Sequence, residues 1–371
     1  MKKTKVLVVF GTRPEAIKVC PLVKELQSRP EEFETVVCVT GQHREMLEQV
    51  LRVFDIKPDY DLAIMKSDQT LGDVTGRILE VLPDIFIREH PDAVFVHGDT
   101  TTAFAAGLAA FYFRIPVGHV EAGLRTGDMA SPFPEEFNRQ AIDLLADLYF
   151  APTETSKANL AEEGKPLDRI FVTGNTGIDA LRTTVSNDFQ SEWLDWVADS
   201  RLILVTAHRR ENIGQPMRNV FRALRRVVED NPDVKALYPI HMNPAVREIA
   251  GQELAGNDRI ELTQPMDPVE FHNIMARSHL VLSDSGGIQE EAPSLGKPVL
   301  VARKTTERPE GVEAGTLRLV GTNEETIHAA LTALLTNPTE YAAMSRATNP
   351  YGDGFASRRV ADVISLVLGG Q

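Results

Sequence analysis

Two series of short, almost wholly apolar runs, each run followed by a stretch with helical spacing of its apolar residues, constrain this chain more than any other feature. In the first half the runs fall at 6–10, 35–39, 93–96, 117–120, 148–151 and 170–172; in the second they fall at 202–206, 235–240, 260–262, 280–282, 299–301 and 317–320. Runs of this length without polar alternation read as strands buried on both faces, and strands that alternate with helices build parallel sheets. A polar stretch at about 183–200 separates the two series. At 371 residues the chain exceeds the size at which one hydrophobic core stops growing. The expected fold is α/β, with a Rossmann-like domain over 1–180, a second over 181–350, and a helix over 351–371 that packs back on the N-terminal domain.

Composition excludes several classes of function. Lys and Arg total 39 against 53 Asp and Glu, a formal charge of -14, which argues against nonspecific binding to nucleic acid or to an anionic membrane. The two cysteines, Cys20 in a helical pattern and Cys38 in a strand pattern, make no disulfide framework and suit a reducing cytoplasm. The N-terminal apolar run ends at Gly11 and the polar T-R-P-E follows, so it reads as a first strand and not as a signal peptide. The longest other apolar run, 103–113, is far shorter than the ~20 residues that span a bilayer. A soluble cytoplasmic protein is expected.

Ligands of open parallel sheets bind beyond the carboxyl ends of the strands, so the residues that leave each strand carry the functional signal. Here they are polar in both halves. Gly11-Thr12-Arg13-Pro14-Glu15 follows the first strand, His97-Gly98-Asp99-Thr100 the third, and Glu121-Ala122-Gly123-Leu124-Arg125 the fourth, with Pro134-Glu135-Glu136 opening the next helix. In the second half His208-Arg209-Arg210-Glu211-Asn212 and His241 follow the first two strands. The stretch 280–300 reads as strand, Ser283-Asp284-Ser285-Gly286-Gly287 turn, helix to Leu295, and strand again. Two glycines before a helix start let a phosphate approach backbone N–H groups, and Glu291, one turn in, can accept hydrogen bonds from sugar hydroxyls.

Asp99 and Glu121 end strands one βα unit apart, and Glu135 lies on the following loop, so three carboxylates are expected to meet at one edge. Crowded carboxyl groups cannot all ionise, which would place an acid beside a base. Arg13, His208, Arg308 and the turn at Ser285 would form an anion site, and the combination suits a phosphorylated leaving group next to proton transfers. No H-E-x-x-H, cysteine pair, P-loop or G-x-G-x-x-G occurs, so neither a metal nor a cofactor is expected.

Nine segments carry a resemblance: G-T-R-P-E-A-I-K at 11–18, T-G-Q-H-R-E-M-L at 40–47, H-G-D-T-T-T at 97–102, G-H-V-E-A-G-L-R-T at 118–126, S-P-F-P-E-E-F-N-R at 131–139, H-R-R-E-N at 208–212, S-D-S-G-G-I-Q-E-E-A-P-S-L-G-K-P-V-L at 283–300, T-T-E-R-P-E at 305–310 and N-P-Y-G-D-G at 349–354. Together they closely resemble the non-hydrolysing UDP-N-acetylglucosamine 2-epimerases. The resemblance implies a GT-B architecture, two Rossmann-like domains facing across a cleft that holds the nucleotide sugar. It implies interconversion of UDP-N-acetylglucosamine and UDP-N-acetylmannosamine without cofactor, a homodimer, and a product used for bacterial surface polysaccharides. Carried over by position, it assigns Asp99, Glu121 and Glu135 to proton transfer. Arg13, His208, Ser285 and Gly286 go to the diphosphate, His208 counting with the catalytic groups because the UDP leaves against it. Glu291 is assigned to the ribose, Phe271 to the uracil, and Lys18, Arg139 and Arg308 to support of the sugar and phosphate sites.

The proton at carbon 2 of the sugar is not next to a carbonyl, so an enzyme must oxidise a neighbouring carbon or expel the leaving group. Without a nicotinamide motif, elimination of UDP through an enzyme-held glycal is favoured. A GT-B glycosyltransferase, a hydrolysing epimerase and a non-catalytic nucleotide-sugar sensor are the competing readings. Some similar epimerases use a second UDP-N-acetylglucosamine as activator; here Gln42, His43, Arg210 and His241 are the candidate activator site. The acidic Glu45 and Asp68 beside it would weaken binding, so little dependence on activator is expected.

Overall fold

The computed structural model describes residues 3–41, 44–64, 66, 69–130 and 132–369. Two compact units divide the chain: 1–183 with 351–371, and 184–350.

In the first unit the elements run β1 (Thr4–Phe10), α1 (Arg13–Gln27), β2 (Phe33–Val39), α2 (Arg44–Val53), β3 (Tyr60–Asp61), α3 (Leu71–Glu89), β4 (Ala93–His97) and α4 (Thr101–Tyr112). They continue through β5 (Val117–Val120), α5 (Glu135–Leu145), β6 (Leu148–Ala151), α6 (Glu154–Glu162), β7 (Ile170–Val172) and α7 (Thr176–Thr184). All pairings are parallel, and the strand order is β3-β2-β1-β4-β5-β6-β7. Val6, Val8 and Phe10 point into one core with Ala16, Val19 and Leu22 of α1, while Leu7 and Val9 point into a second core with Ile78 and Ala106. That is why β1 reads as a continuous apolar run: both of its faces are buried.

The second unit holds α8 (Glu192–Val197), β8 (Arg201–Thr206), α9 (Gln215–Asp230), β9 (Val234–Pro239), α10 (Pro244–Leu254), β10 (Ile260–Thr263) and α11 (Pro268–Arg277). It continues with β11 (Leu280–Ser283), α12 (Ile288–Ser294), β12 (Val299–Val301), α13 (Pro309–Glu313), β13 (Leu317–Leu319), α14 (Glu324–Thr336) and α15 (Pro338–Ser345). Its sheet is also parallel, in the order β10-β9-β8-β11-β12-β13. Phe221, Tyr238, Leu282 and Leu331 lie in its core.

The last helix, α16 (Ala356–Leu368), packs against α1 of the first unit and puts Val360, Ala361 and Ile364 into that core. It is anchored by Asp179 of α7, whose carboxylate accepts from Ala356 N at 3.1 Å and Ser357 N at 2.6 Å. Upstream of it, Gly352 lies against Gly174, where a Cβ on Gly174 would stand 3.3 Å from the Gly352 Cα. No described helix is long and apolar enough to cross a membrane.

Both sheets reverse their strand order beside the first strand, at β1/β4 and at β8/β11. Such switch points open a crevice at the carboxyl ends of the two strands. The polar segments after β1, β4, β8 and β11 therefore leave the sheets where a doubly wound fold binds ligands.

Candidate active site

Thr12 caps α1, and Glu15 completes a reciprocal capping box. The buried Glu15 carboxylate accepts from Thr12 N at 2.7 Å, Gly11 N at 3.1 Å and the Thr100 hydroxyl at 2.6 Å, tying the starts of α1 and α4 together. Burial pushes its pKa up against these hydrogen bonds. A Cβ on Gly11 would sit 2.0 Å from Thr40 Oγ1, so only glycine fits there. Arg13, the first residue of α1, is half-buried.

Register pairs His97 with Val120, so Asp99 and Glu121 leave neighbouring strands. Glu121 has φ 68°, a left-handed conformation that costs a residue with a Cβ and concentrates at functional sites. A Cβ on Gly98 would lie 3.2 Å from Glu121 Oε2, which shows how closely the two turns approach. Lys18 donates to Glu121 Oε1, and Asn175 Nδ2 donates to the same oxygen at 2.9 Å. Arg139 donates to Asp99 Oδ2 through Nε at 3.1 Å and through Nη2, while Asn138 holds the Asp99 carbonyl at 2.9 Å.

The carboxylates expected at this edge thus come with cations that their strand-end positions did not reveal. Asp99 and Glu121 each face a cation of their own, so Lys18 and Arg139 attach to the proposed acid and base groups of this unit. Glu135 is the half-buried first residue of α5. Its neighbour Glu136 is the fully buried one, and accepts from Thr126 N, Gly127 N, Gln140 and Arg139.

In the second unit the organising residue is Asp284, which sequence reasoning took for part of a small-residue turn. Its 0% exposed carboxylate accepts from His208 N at 3.0 Å, Arg209 N at 2.9 Å and Asn212 Nδ2 at 3.1 Å. It thereby fixes the H-R-R-E-N segment to the turn after β11. The His208 ring stacks on His241, with centroids 5.2 Å apart and planes 12° apart. Burial, reinforced by His241 and Arg209 and opposed by Asp284, holds the His208 imidazole below its ordinary value. His208 thus offers a neutral N–H donor.

Gly286 is explained by Arg308: a Cβ would stand 2.7 Å from its Nη1 and 3.0 Å from its Cζ. The Arg308 guanidinium also pairs with Glu290 and with Glu307 at 2.6 Å. Burial alone would raise the Glu307 carboxyl, but Arg308, Arg303 and Arg209 hold it at about 2. Helix α12 has seven residues, so anion binding at Ser285 and Gly286 would rest more on Arg308 than on a helix dipole.

Glu291 is buried, and its carboxylate lies 3.6 Å from His272 Nε2, whose Nδ1 is 2.8 Å from the Thr184 hydroxyl. The ring of Phe271 meets His272 edge to face at 6.2 Å. Asn175, His272 and Asp284 are the site residues that sequence reasoning missed; Asp284 alone left a signal, a carboxylate directly after a strand at a switch point. Of the candidate activator residues, Arg210 and His241 are exposed, and Gln42, His43 and Asp68 lie outside the described residues, as does the side chain of Glu45.

The family model for UDP-N-acetylglucosamine 2-epimerase matches residues 24–365. A Bacillus subtilis UDP-N-acetylglucosamine 2-epimerase is 59% identical over 369 residues, covering 100% of this chain and 97% of that protein. Among solved structures, S. aureus MnaA with UDP has a TM-score of 0.92 at 51% identity, covering 99% of this chain and 97% of that one. The UDP-GlcNAc 2-epimerase from Neisseria meningitidis, bound to UDP-GlcNAc, has a TM-score of 0.91 at 48% identity, covering 97% and 99%. With a family match over most of its length and both Rossmann-like halves in place, the chain belongs to the UDP-N-acetylglucosamine 2-epimerase family.

Proposed function

We propose that this protein is a non-hydrolysing UDP-N-acetylglucosamine 2-epimerase, an isomerase that works by elimination and re-addition of UDP. A carboxylate takes the proton from carbon 2 while the bond from carbon 1 to the UDP oxygen breaks, leaving a carbon 1–carbon 2 double bond. The UDP oxygen then re-adds at carbon 1 as a second group delivers a proton to the opposite face of carbon 2. The observation that carries this reading is the pair of neighbouring strand ends where Asp99 and Glu121 stand with separate cations. Inversion needs a proton-handling group for each face, and two independently supported carboxylates supply them. Glu135 is the third group of this set.

The relatives' ligands, UDP and UDP-GlcNAc, support a nucleotide site, and the strand-end motifs of the second unit are our assignment for it. There Ser285, Gly286, Arg308 and the neutral His208 take the diphosphate, Glu291 the ribose and Phe271 the uracil. Arg13 is assigned to the leaving group as a further cation.

The protein acts as a homodimer in the cytoplasm and supplies a precursor of bacterial surface polysaccharide. The dimer is supported by apolar side chains left exposed on the packed helices α3, α4 and α5, among them Tyr112 at 66% and Leu144 at 75%. The compartment is supported by the free buried thiols of Cys20 and Cys38.

Turnover of UDP-N-acetylglucosamine in heavy water, followed by NMR, tests the reaction. Deuterium at carbon 2 of UDP-N-acetylmannosamine is expected. Free N-acetylmannosamine and UDP as the only products would assign hydrolysis instead, and a 3-keto intermediate with carbon 2 label retained would exclude elimination.

A further inference from the structure

We propose that His119 and Asp143 are positioning residues for the reaction, a buried pair that holds the two carboxylate-bearing turns in register. The inference rests on the assignment of Asp99 and Glu121 to proton transfer. Both side chains are 0% exposed. His119 on β5 reaches Asp143 Oδ1 of α5 through Nδ1 at 2.6 Å and the Gly98 carbonyl through Nε2 at 2.8 Å. Gly123 N, at 3.2 Å, and Arg125 Nη2, at 2.7 Å, donate to Asp143 Oδ2, and Arg125 continues to Glu163 at 2.7 Å.

The partners assign the protons. A carbonyl oxygen only accepts, so Nε2 of His119 carries a hydrogen. Two N–H groups donate to Asp143 Oδ2; burial would raise its carboxyl, but His119 and then Arg125 hold it below the usual range. Nδ1 faces the Asp143 carboxylate across 2.6 Å. His97, itself influenced by Glu121 and Lys18, is an ionisable neighbour of His119.

What this pair grips is specific. Gly98 is the residue before Asp99, and its carbonyl fixes the peptide plane from which Asp99 departs. Gly123 is two residues after Glu121, and a Cβ there would meet the Ser156 carbonyl at 2.2 Å. The chain is left-handed at Gly98, Glu121 and Gly123, with φ of 64°, 68° and 84°. One His–Asp pair holds these turns through the Gly98 carbonyl and Gly123 N. A buried ion pair is a poor source of net stability compared with apolar residues of the same volume. Geometry at the site is the use that its contacts indicate.

The test uses His119→Gln, Asp143→Asn and the double variant of the full chain, with kcat normalised to folded enzyme. Each single change is expected to lower kcat for epimerisation by about 10²-fold, the scale of an ångström-sized misplacement. KM for UDP-N-acetylglucosamine and Kd for UDP should stay within about twofold, because all the proposed nucleotide groups but Arg13 lie in the other unit. In the double variant an amide pair restores the chain of donors from the Gly98 carbonyl to Gly123, and about tenfold of kcat should return. Should a single variant not fold, Arg125→Gln loosens Asp143 from its outer end, and a kcat loss without a KM change is again expected. Unchanged kcat per folded molecule in these variants, with Asp99→Asn and Glu121→Gln inactive, overturns the positioning role alone. Full turnover in Asp99→Asn and Glu121→Gln overturns the assignment beneath it, and the positioning role with it.

Discussion

Lys18 of α1 donates to the Glu121 carboxylate at the end of β5, and both side chains are largely buried, at 15% and 8% exposure. Removing one partner of such a pair leaves a buried charge without the cation that faces it, a loss of about 3–5 kcal/mol. Lys18→Met should therefore lower the melting temperature and nearly abolish turnover. The Lys18→Met/Glu121→Leu double variant should regain stability but no activity. Recovery of activity in the double variant would mean that Glu121 handles no proton.

How much of this was legible in the sequence follows from what local patterning encodes. Every apolar run read as a strand coincides with one to within a residue or two, because strands buried on both faces cannot hide among polar residues. Strand β3 was not legible: Tyr60–Asp61 is two residues long with no fully buried side chain. Helix α8 was hidden in a polar stretch for the same reason, having Val197 as its one buried residue. The strand-end motifs were visible since a parallel sheet sends its carboxyl ends to one edge. Their partners were not, because side-chain pairing is set by the tertiary fold: Lys18 and Glu121 are 103 positions apart, Arg139 and Asp99 40, His208 and Asp284 76. Crowded carboxylates were the natural reading of acidic residues seen without the cations that the fold brings to them.

Gly286 has a packing reason that a Gly-rich turn does not reveal. In Gly286→Ala the new methyl would displace the buried Arg308 guanidinium from its place between the turn and Glu290. UDP affinity should fall by roughly tenfold or more, as expected when a charged hydrogen-bond donor worth about 1.5–3 kcal/mol is moved off its ligand. Calorimetric titration with UDP measures this. An unaltered Kd would separate Arg308 from the diphosphate.

Burial drives the His97 imidazole down to about 4, against the pull of Glu121 and with further lowering by Lys18 and His119. The unfolded chain binds this proton near the ordinary value of 6.5, so between about 6.5 and about 4 it holds a proton that the folded state refuses. This group's share of stability is whole above pH ~6.5 and is lost as pH falls toward ~4, at up to about 1.4 kcal/mol per pH unit. Melting temperatures of the wild type and His97→Asn, taken across that window, should converge as the pH drops. A constant gap would mean that His97 is not the group that titrates.

The chain from Thr184 through His272 to Glu291 yields the last prediction. His272 is 2% exposed, with one ring nitrogen 2.8 Å from the Thr184 hydroxyl and the other 3.6 Å from the Glu291 carboxylate. If Glu291 receives the ribose hydroxyls, Glu291→Ala removes a charged acceptor, worth about 1.5–3 kcal/mol or roughly 10–150-fold in Kd for UDP. His272→Leu keeps the carboxylate but frees its orientation, so a smaller, several-fold loss is expected. Saturating kcat should hold in His272→Leu, because the proposed proton-transfer groups lie in the other unit. Titration with UDP and with uridine distinguishes the sources of loss: both ligands should weaken together in Glu291→Ala. A variant that loses UDP but binds uridine as before would place Glu291 at the diphosphate instead of the ribose.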